Sequence, residues 1–135
     1  VVIFAGYPDK MEKFFFFFPG LRSRIAFHIP FEAYSSTELC EIATLIANEK
    51  GFHLTGDAID KLKNIFEDAR RSSDFGNGRY ARNIIEKAKM IQANRLMSMD
   101  FNEIRDEDLK TLNAEDFEIP EKKQQKKTIT IGFCD

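Results

Sequence analysis

The chain has 135 residues, of which 43% are apolar and 31% are charged, and its formal net charge is −2. This length suits one ordinary globular domain with a real core. The slight acidic balance argues against a nucleic-acid-binding domain, because such domains usually carry a surplus of basic residues.

The apolar runs and the cysteines limit where such a chain can work. The longest apolar run, residues 14–18, is far too short to cross a bilayer, and no segment has the form of a signal peptide. Cys40 and Cys134 stand far apart and fit a reducing compartment without a disulfide framework. The histidines are equally scattered, so no metal site is predicted. These patterns favour a cytoplasmic protein that neither enters a membrane nor binds nucleic acid.

Residues 1–5 form an uninterrupted apolar run that ends at Gly6. Such a run is typical of a strand covered on both faces, as in a parallel sheet. Since domains seldom begin in the middle of their core, we expect the chain to be a fragment of a longer protein. Tyr7 follows directly, and residues 6–9 have the composition of a turn.

A short helix is predicted over residues 9–18, capped by Asp9 and ended before Pro19. It contains five consecutive phenylalanines, residues 14–18. A helix spreads five consecutive side chains around its whole circumference, so these rings cannot all face one core. Either a neighbouring subunit buries some of them, or the run is a peculiarity of this sequence.

The rest of the chain is organised around residues 18–31. A Pro-Gly turn at Pro19 is followed by two arginines, Arg22 and Arg24, and then by an apolar run over residues 25–31. The run predicts a second buried strand. Both arginines would then lie at an edge of the fold, where they can reach a neighbouring molecule. Residues 31–34 are predicted to form a hinge into a segment of different composition.

Helical periodicity begins at Ser35. Ser35 and Glu38 form a predicted capping box at the start of a helix that ends at Gly51. Cys40 borders the apolar stripe of this helix and is predicted to be a small core residue.

Three further helices follow. One starts after Thr55, one runs over Gly78–Met97 with Asn77 as its cap, and a short one covers residues 106–112 before a turn through residues 114–117. The apolar positions that repeat on the inner faces of the long helices are Leu39, Ile42, Ala43, Ile46, Ile59, Leu62, Phe66, Ala69, Ala81, Ile84, Ile85, Ala88 and Ile91. Since short loops join the helices, a small helical bundle is predicted.

Two blocks of this sequence carry a resemblance to a known family. Pro-Gly-Leu-Arg-Ser-Arg-Ile at residues 19–25 resembles the arginine-finger segment that precedes the last core strand of AAA+ ATPases. Gly-Asn-Gly-Arg-Tyr-Ala-Arg-Asn at residues 76–83 resembles their sensor-2 motif. Together with Phe-Ala-Gly-Tyr-Pro-Asp at residues 4–9, these blocks make residues 1–118 most similar to one branch. That branch contains stage V sporulation protein K and the CbbX-type Rubisco activases.

The resemblance implies a fold class that is mainly α, with a helical AAA+ lid bundle preceded by the last strands and a helix of an α/β P-loop core. Residues 1–31 would be the C-terminal portion of the core, and residues 35–118 would be the lid domain. Residues 119–135 would be a tail, since residues 120–127 are polar and highly charged.

The resemblance also implies a role for the arginines of the first block. Arg24 would be the arginine finger that acts on the nucleotide of a neighbouring subunit, with Arg22 as the second candidate. A guanidinium suits this task because it stays charged and binds phosphate oxygens bidentately, stabilising the charge that spreads over the γ-phosphate during transfer. The alternative is that both arginines form salt bridges, at the surface or between subunits.

In the second block, the resemblance implies that Arg79 reaches the γ-phosphate from the lid and that Arg82, one turn further on, supports it. A cation in the first turn of a helix is disfavoured by the helix dipole unless an anion is close by. Free backbone N–H groups at Asn77, Gly78 and Arg79 would help to bind that anion. Gly76 and Gly78 would let the backbone approach closely. The alternative is an exposed surface arginine beside ordinary turn glycines.

Tyr7 falls near the place of sensor 1, the polar residue that positions the attacking water in AAA+ proteins. Many of them have Asn, Ser or Thr there. A tyrosine hydroxyl can orient a water molecule, and an ordinary turn is the equal alternative.

The phosphate cradle and the magnesium ligands of such ATPases are absent from this sequence. It has no Gly-x-x-x-x-Gly-Lys-[Ser/Thr] motif and no apolar run that ends in paired acids. The intact protein would use ATP and Mg²⁺. This chain alone would bind no cofactor tightly and would not hydrolyse ATP.

We therefore predict the C-terminal part of a hexameric AAA+ ATPase that remodels a protein partner. Two alternatives remain open: a non-enzymatic helical interaction module that docks through its phenylalanine run, and the lid of a DNA-processing AAA+ subunit. A P-loop upstream in the reading frame would favour the ATPase over the first alternative. A salt-sensitive DNA affinity would favour the second alternative.

Overall fold

The computed structural model describes residues 1–72 and 75–119. The chain divides into two compact units, Val1–Glu32 and Ala33–Asp135. The first unit contains helices α1 (Pro8–Phe17) and α2 (Pro19–Arg22). The second contains helices α3 (Ser36–Glu49), α4 (Gly56–Ala69) and α5 (Gly78–Met97), strands β1 (His53–Leu54) and β2 (Thr111–Leu112), and 3₁₀ turns at Phe101–Glu103, Asp108–Lys110 and Ala114–Asp116. The predicted mainly helical fold class is confirmed, and the predicted tail beyond residue 119 lies outside the described residues.

Helix α1 begins at Pro8, whose fixed φ and missing N–H suit the first position of a helix. Tyr7 occupies the N-cap position, and no side chain caps the helix. The prediction of Asp9 as the cap was therefore wrong. Asp9 lies inside the first turn, where its charge complements the helix dipole.

The five phenylalanines diverge around the end of α1, as the helical geometry requires. Phe15 is only 8% exposed, whereas Phe16 and Phe17 are 82% and 74% exposed. The Phe15 ring packs against the rings of Phe14 and His28, with centroid distances of 5.8 and 5.7 Å. Of these three rings, Phe15 is thus buried within this unit, and Phe16 and Phe17 face solvent.

Neither of the two strands predicted for the first unit is formed. Residues 1–5 and 25–31 have no strand hydrogen bonding, and apolar side chains such as Ile3, Phe27 and Ile29 are exposed. A strand completes its backbone hydrogen bonds with a neighbouring strand, and the described residues of this unit supply none. An apolar run therefore indicates a preference for burial and does not by itself produce a strand.

The capping box predicted at the start of α3 is confirmed. The Ser35 hydroxyl accepts the N–H of Glu38 at 3.2 Å, and the Glu38 carboxylate accepts the N–H of Ser35 at 2.8 Å. Just beyond α3, Gly51 adopts a φ of 79°, which glycine does without steric cost. At the start of α4, the Thr55 hydroxyl accepts the N–H of Ala58 at 3.3 Å.

The capping box makes the stability of this unit depend on pH. Hydrogen bonds from the backbone N–H and the hydroxyl of Ser35 hold the pKa of Glu38 below its ordinary value. The resulting stabilisation is present above the ordinary pKa of 4.5 and is lost as the pH falls through the lowered value. Glu38→Gln should keep an acceptor in place but lose this pH dependence. We expect its urea midpoint to fall less than that of the unsubstituted chain between about pH 7 and about pH 3.

The matched control is Glu41→Gln, an exposed carboxylate on the same helix that has no hydrogen bond to any described residue. If Glu41→Gln flattened the pH profile as much as Glu38→Gln, the capping box would not be the source.

The three long helices of the second unit enclose one hydrophobic core. Its fully buried side chains come mostly from the predicted inner faces: Leu39, Ala43, Leu62, Phe66, Ala81 and Ile85. Cys40 is 7% exposed, and burial raises the pKa of its thiol. It is the core residue that the sequence predicts, and a thiol kept protonated in this way is a poor nucleophile.

The helix predicted over residues 106–112 was wrong. Asp108–Lys110 forms a single 3₁₀ turn, after which β2 pairs in parallel with β1. The pairing brings the fully buried Leu112 into the core. A two-residue strand is too short to leave an alternating pattern in the sequence.

Polar side chains of α4 and α5 hold the C-terminal segment, residues 108–117, against the bundle. Lys61 Nζ donates to the Ala114 carbonyl at 2.9 Å. Gln92 Nε2 donates to two carbonyl oxygens of the segment at 2.9 and 3.0 Å. These side chains thereby bind carbonyl oxygens of two 3₁₀ turns and of β2.

Arg95 also holds this segment, through an ion pair with the fully buried Asp116. Arg95 Nε and Nη2 each donate to one carboxylate oxygen at 2.9 Å, and the N–H of Asn113 donates to the same carboxylate at 2.8 Å. The hydrogen bonds to Asp116 raise the pKa of Arg95 further above its ordinary value, so Arg95 stays charged. Lys61, Gln92 and Arg95 thus all bind residues 108–117.

Candidate functional site

The two arginines of the first unit differ in what they contact. Arg22, the last residue of α2, donates through Nη1 and Nη2 to the two carboxylate oxygens of Glu12, each at 3.3 Å. Its guanidinium carbon also lies 5.9 Å from the centroid of the Phe15 ring. Arg24 is exposed, and its side chain forms no hydrogen bond or ion pair with any described residue. Of the pair, Arg24 alone presents a guanidinium without a counter-charge from the described residues.

The backbone that presents these arginines is helical and is not the predicted Pro-Gly turn. Pro19 and Gly20 are the first two residues of α2. A Cβ added to Gly20 would lie 3.5 Å from Nη1 of Arg24, so the Arg24 side chain folds back along this helix. The arginines are therefore displayed from the end of a single helical turn.

Tyr7 also lies in the first unit. Its carbonyl accepts the N–H groups of Lys10 and Met11 at 3.0 and 2.9 Å, which begins α1. Its side chain is 78% exposed, and the hydroxyl has no hydrogen bond to any described residue. The phenol is thus available to solvent.

The second group of predicted site residues lies at the start of α5, which begins at Gly78 and ends at Met97 as predicted. Arg79 and Arg82 stand three residues apart on this helix, which places them on neighbouring positions of one face. Both are exposed, and neither guanidinium forms an ion pair or hydrogen bond with a described residue. Arg79 thus lies in the first turn, where the helix dipole is also positive, and Arg82 adds a second cation one turn further on, an arrangement suited to a phosphate group.

Asn77 does not act as the predicted cap. No side-chain bond caps α5, and the side-chain oxygen of Asn77 accepts the N–H of Tyr34 at 3.0 Å instead. Asn77 adopts φ 49° and ψ −126°, and among the described residues it is the only non-glycine with positive φ.

The predicted set of free backbone N–H groups also needs correction. The N–H of Arg79 donates to the carbonyl of Gly76 at 3.1 Å and is not free to bind a ligand. A Cβ on Gly76 would meet only ordinary contacts, the nearest at 3.7 Å, and one on Gly78 would meet nothing within 4 Å. These glycines are therefore not required by packing among the described residues, and the space at Gly78 is open.

The sequence did not predict the role of Tyr80, which anchors the first turn of α5. Its ring packs against Phe66 at a centroid distance of 6.2 Å and against Phe75 at 5.3 Å. Burial raises the pKa of its hydroxyl. A large apolar residue inside a charged motif is the signal that could have indicated this anchor. The hydrogen bond from the backbone N–H of Tyr34 to Asn77, by contrast, leaves no pattern in the sequence that could have indicated it.

Within residues 1–72 and 75–119, no three His, Cys, Asp or Glu side chains are grouped so that they could hold a metal ion. None of the helices in these ranges is both long and apolar enough to cross a membrane.

A family profile decides the assignment of the helical bundle. The profile of the AAA lid domain matches residues 35–128. The chain belongs to the AAA lid domain family. The matched range begins at the capping box of α3 and includes Arg79 and Arg82 on α5, the longest described helix.

Individual relatives of this AAA lid agree with the profile. The chain is 40% identical to protein CbbX of Cereibacter sphaeroides over 116 residues, 86% of the chain and 38% of that protein. It is 38% identical to the chloroplastic ribulose bisphosphate carboxylase/oxygenase activase of Cyanidioschyzon merolae over 122 residues, 87% of the chain and 40% of the activase. It is 37% identical to stage V sporulation protein K of Bacillus subtilis over 124 residues, 90% of the chain and 38% of that protein.

These relatives confirm the resemblance to the branch of stage V sporulation protein K and CbbX. The chain spans about two fifths of the length of each of them.

Proposed function

We propose that this chain is the arginine-finger, sensor-2 and lid part of an AAA+ ATPase that works as a hexamer and remodels a protein partner. Residues 1–31 would be the end of the α/β core, residues 35–118 the lid, and residues 119–135 a tail. The observation that carries the proposal is the pair of exposed arginines, Arg79 and Arg82, at the start of α5 in an AAA lid, neither paired with any described residue.

In the intact protein, Arg79 would bind the γ-phosphate of ATP and Arg82 would support it. Both side chains fit a phosphate, because they are exposed and uncompensated by the described residues, and because Gly78 leaves the backbone beside them uncovered. The ligands of Mg²⁺ would come from the Walker motifs of the intact ATPase. When bound, ATP with Mg²⁺ supplies the phosphoryl group whose transfer to water releases the free energy for remodelling.

The first unit would contribute the groups that act at the reacting phosphate. We assign the arginine finger to Arg24, because Glu12 already compensates Arg22. Tyr7 would orient the attacking water through its exposed hydroxyl. A finger acting on a neighbour's nucleotide requires an oligomer, which is why the proposal includes a hexamer. The protein partner is proposed from relatives such as the activase of Cyanidioschyzon merolae.

The test of this proposal is Arg79→Ala in the intact ATPase. Losing a hydrogen bond to a charged phosphate should weaken ATP binding or lower the hydrolysis rate about tenfold or more. The melting temperature should stay the same, since the Arg79 side chain is exposed and has no partner among the described residues. Steady-state ATPase kinetics and thermal unfolding on the same preparation measure both effects.

Arg105→Ala is the matched control, because Arg105 is another exposed lid arginine whose side chain has no partner among the described residues. It should leave both quantities unchanged. A lower melting temperature with normal hydrolysis in Arg79→Ala would mean that Arg79 is structural and that the sensor role is wrong.

A further inference from the structure

Asn77 combines an unfavourable backbone conformation with a long-range hydrogen bond. Its φ of 49° is accompanied by a ψ of −126°, far from the ψ of about +30° to +60° that makes positive φ tolerable for asparagine. Such a conformation persists only where the surrounding structure determines it. The surrounding contact here is the 3.0 Å bond from the N–H of Tyr34 to the side-chain oxygen of Asn77.

The bond diverts Asn77 from the task that asparagine usually has at this position. An N-cap asparagine normally accepts a backbone N–H of the first helical turn through its side chain. Here the backbone carbonyl of Asn77 accepts the N–H groups of Tyr80 and Ala81 at 2.9 and 3.3 Å, which starts α5. The side chain is therefore free to hold Tyr34, which lies two residues before α3 begins at Ser36.

We propose that Asn77 is a positioning residue that ties the segment entering the lid to the helix turn that carries Arg79. The inference rests on the proposed function of Arg79. Tyr34 lies in the predicted hinge, and Arg79 follows Asn77 by two residues. A hinge rotation that moves Tyr34 relative to the lid must either break the Tyr34–Asn77 bond or move the start of α5. The position of Arg79 is thereby coupled to the hinge through one residue.

The hydrogen bond between Tyr34 and Asn77 is tested in this chain by amide hydrogen exchange at Tyr34. Asn77→Gly removes the acceptor and accepts positive φ without strain, whereas Asn77→Asp keeps an oxygen acceptor. We expect exchange of the Tyr34 amide to be roughly threefold to tenfold faster in Asn77→Gly, as befits the loss of one hydrogen bond. Asn77→Asp should exchange like the unsubstituted chain. Equal exchange rates of the Tyr34 amide in all three proteins would contradict a structural role for this hydrogen bond.

The coupling to Arg79 is tested in the intact ATPase with a double-mutant cycle. Asn77→Gly should raise the KM for ATP roughly threefold to tenfold, and it should add nothing once Arg79 is already alanine. A full additional effect in the Arg79→Ala background would show that Asn77 does not act through Arg79 and would overturn the coupling. If Arg79→Ala alone left ATPase kinetics normal, the proposed function would fail, and the coupling with it. The Tyr34 exchange result would be unaffected by that failure.

Discussion

Replacing Arg24 with alanine in the intact ATPase should lower the rate of ATP hydrolysis by about 10³-fold or more, the scale on which arginine fingers act in well-studied NTPases. Arg24 is exposed and has no counter-charge among the described residues. Its guanidinium can therefore meet a phosphate without first breaking an ion pair. Melting temperature and ATP affinity should change little, because the finger would act on the transition state. Steady-state hydrolysis at saturating ATP measures the loss.

Arg22→Ala is the matched control for this prediction. Arg22 lies two residues away, but its two nitrogen donors are occupied by Glu12 at 3.3 Å each. Because this ion pair is largely exposed, its loss should cost about 1 kcal/mol or less of stability. Most of the ATPase activity should therefore remain. The opposite result, an inactive Arg22→Ala beside an active Arg24→Ala, would assign the finger to Arg22.

In the proposed hexamer, mixing subunits distinguishes a finger that acts on a neighbour from one that acts on its own nucleotide. Subunits with Arg24→Ala should silence an adjacent site while their own site is still served by an unsubstituted neighbour. A second inactive subunit that lacks the Walker lysine should therefore restore some hydrolysis when the two are mixed. If subunits exchange and no activity returns, Arg24 does not act in trans.

Asp116→Ala should destabilise the lid by about 3 kcal/mol, the largest stability effect that we expect from a single polar residue here. The substitution removes the buried partner of Arg95, whose side chain is only 20% exposed, and leaves it the exposed Glu115 at 3.4 Å; it also removes the acceptor of the Asn113 N–H. We take the lower end of the range for broken buried pairs because Arg95 retains some access to water. For a domain of this size, the melting temperature should fall by more than about 10 °C.

The surface pair Lys87–Glu118 provides the comparison. Its atoms are 2.6 Å apart, but both side chains are 59% exposed. Glu118→Ala should therefore cost less than about 1 kcal/mol. Chemical denaturation of both variants at neutral pH gives the two values directly. Equal losses would mean that the burial of Asp116 adds nothing to the strength of its ion pair.

The features that follow from local physics were predictable from the sequence. α5 was predicted over its full length, since apolar residues recur at helical spacing between Gly78 and Met97. The capping box of Ser35 and Glu38 was also predictable, because it involves residues three apart in one turn. In such cases the contacting groups are neighbours in the chain.

Features that depend on distant partners were not predictable. The pattern of residues 106–112 indicated a helix, yet pairing with β1 converts its end into a strand. Asn77 had the residue type of a cap, and its side chain is bound to Tyr34 instead. The sequence did not indicate that Glu12 pairs with Arg22, the second candidate for the arginine finger. In each case, tertiary contacts decided between local preferences of similar strength.

The parallel pairing of β1 with β2 sets the order in which the lid forms during synthesis. Helices α3 and α4 are neighbours in the chain and can associate early, because closing the short connection between them costs little entropy. β1 is made before α4, but its partner emerges only after α5 is complete. A nascent lid should therefore stay open to proteases until Leu112 and Phe117 have left the ribosome and filled their places in the core.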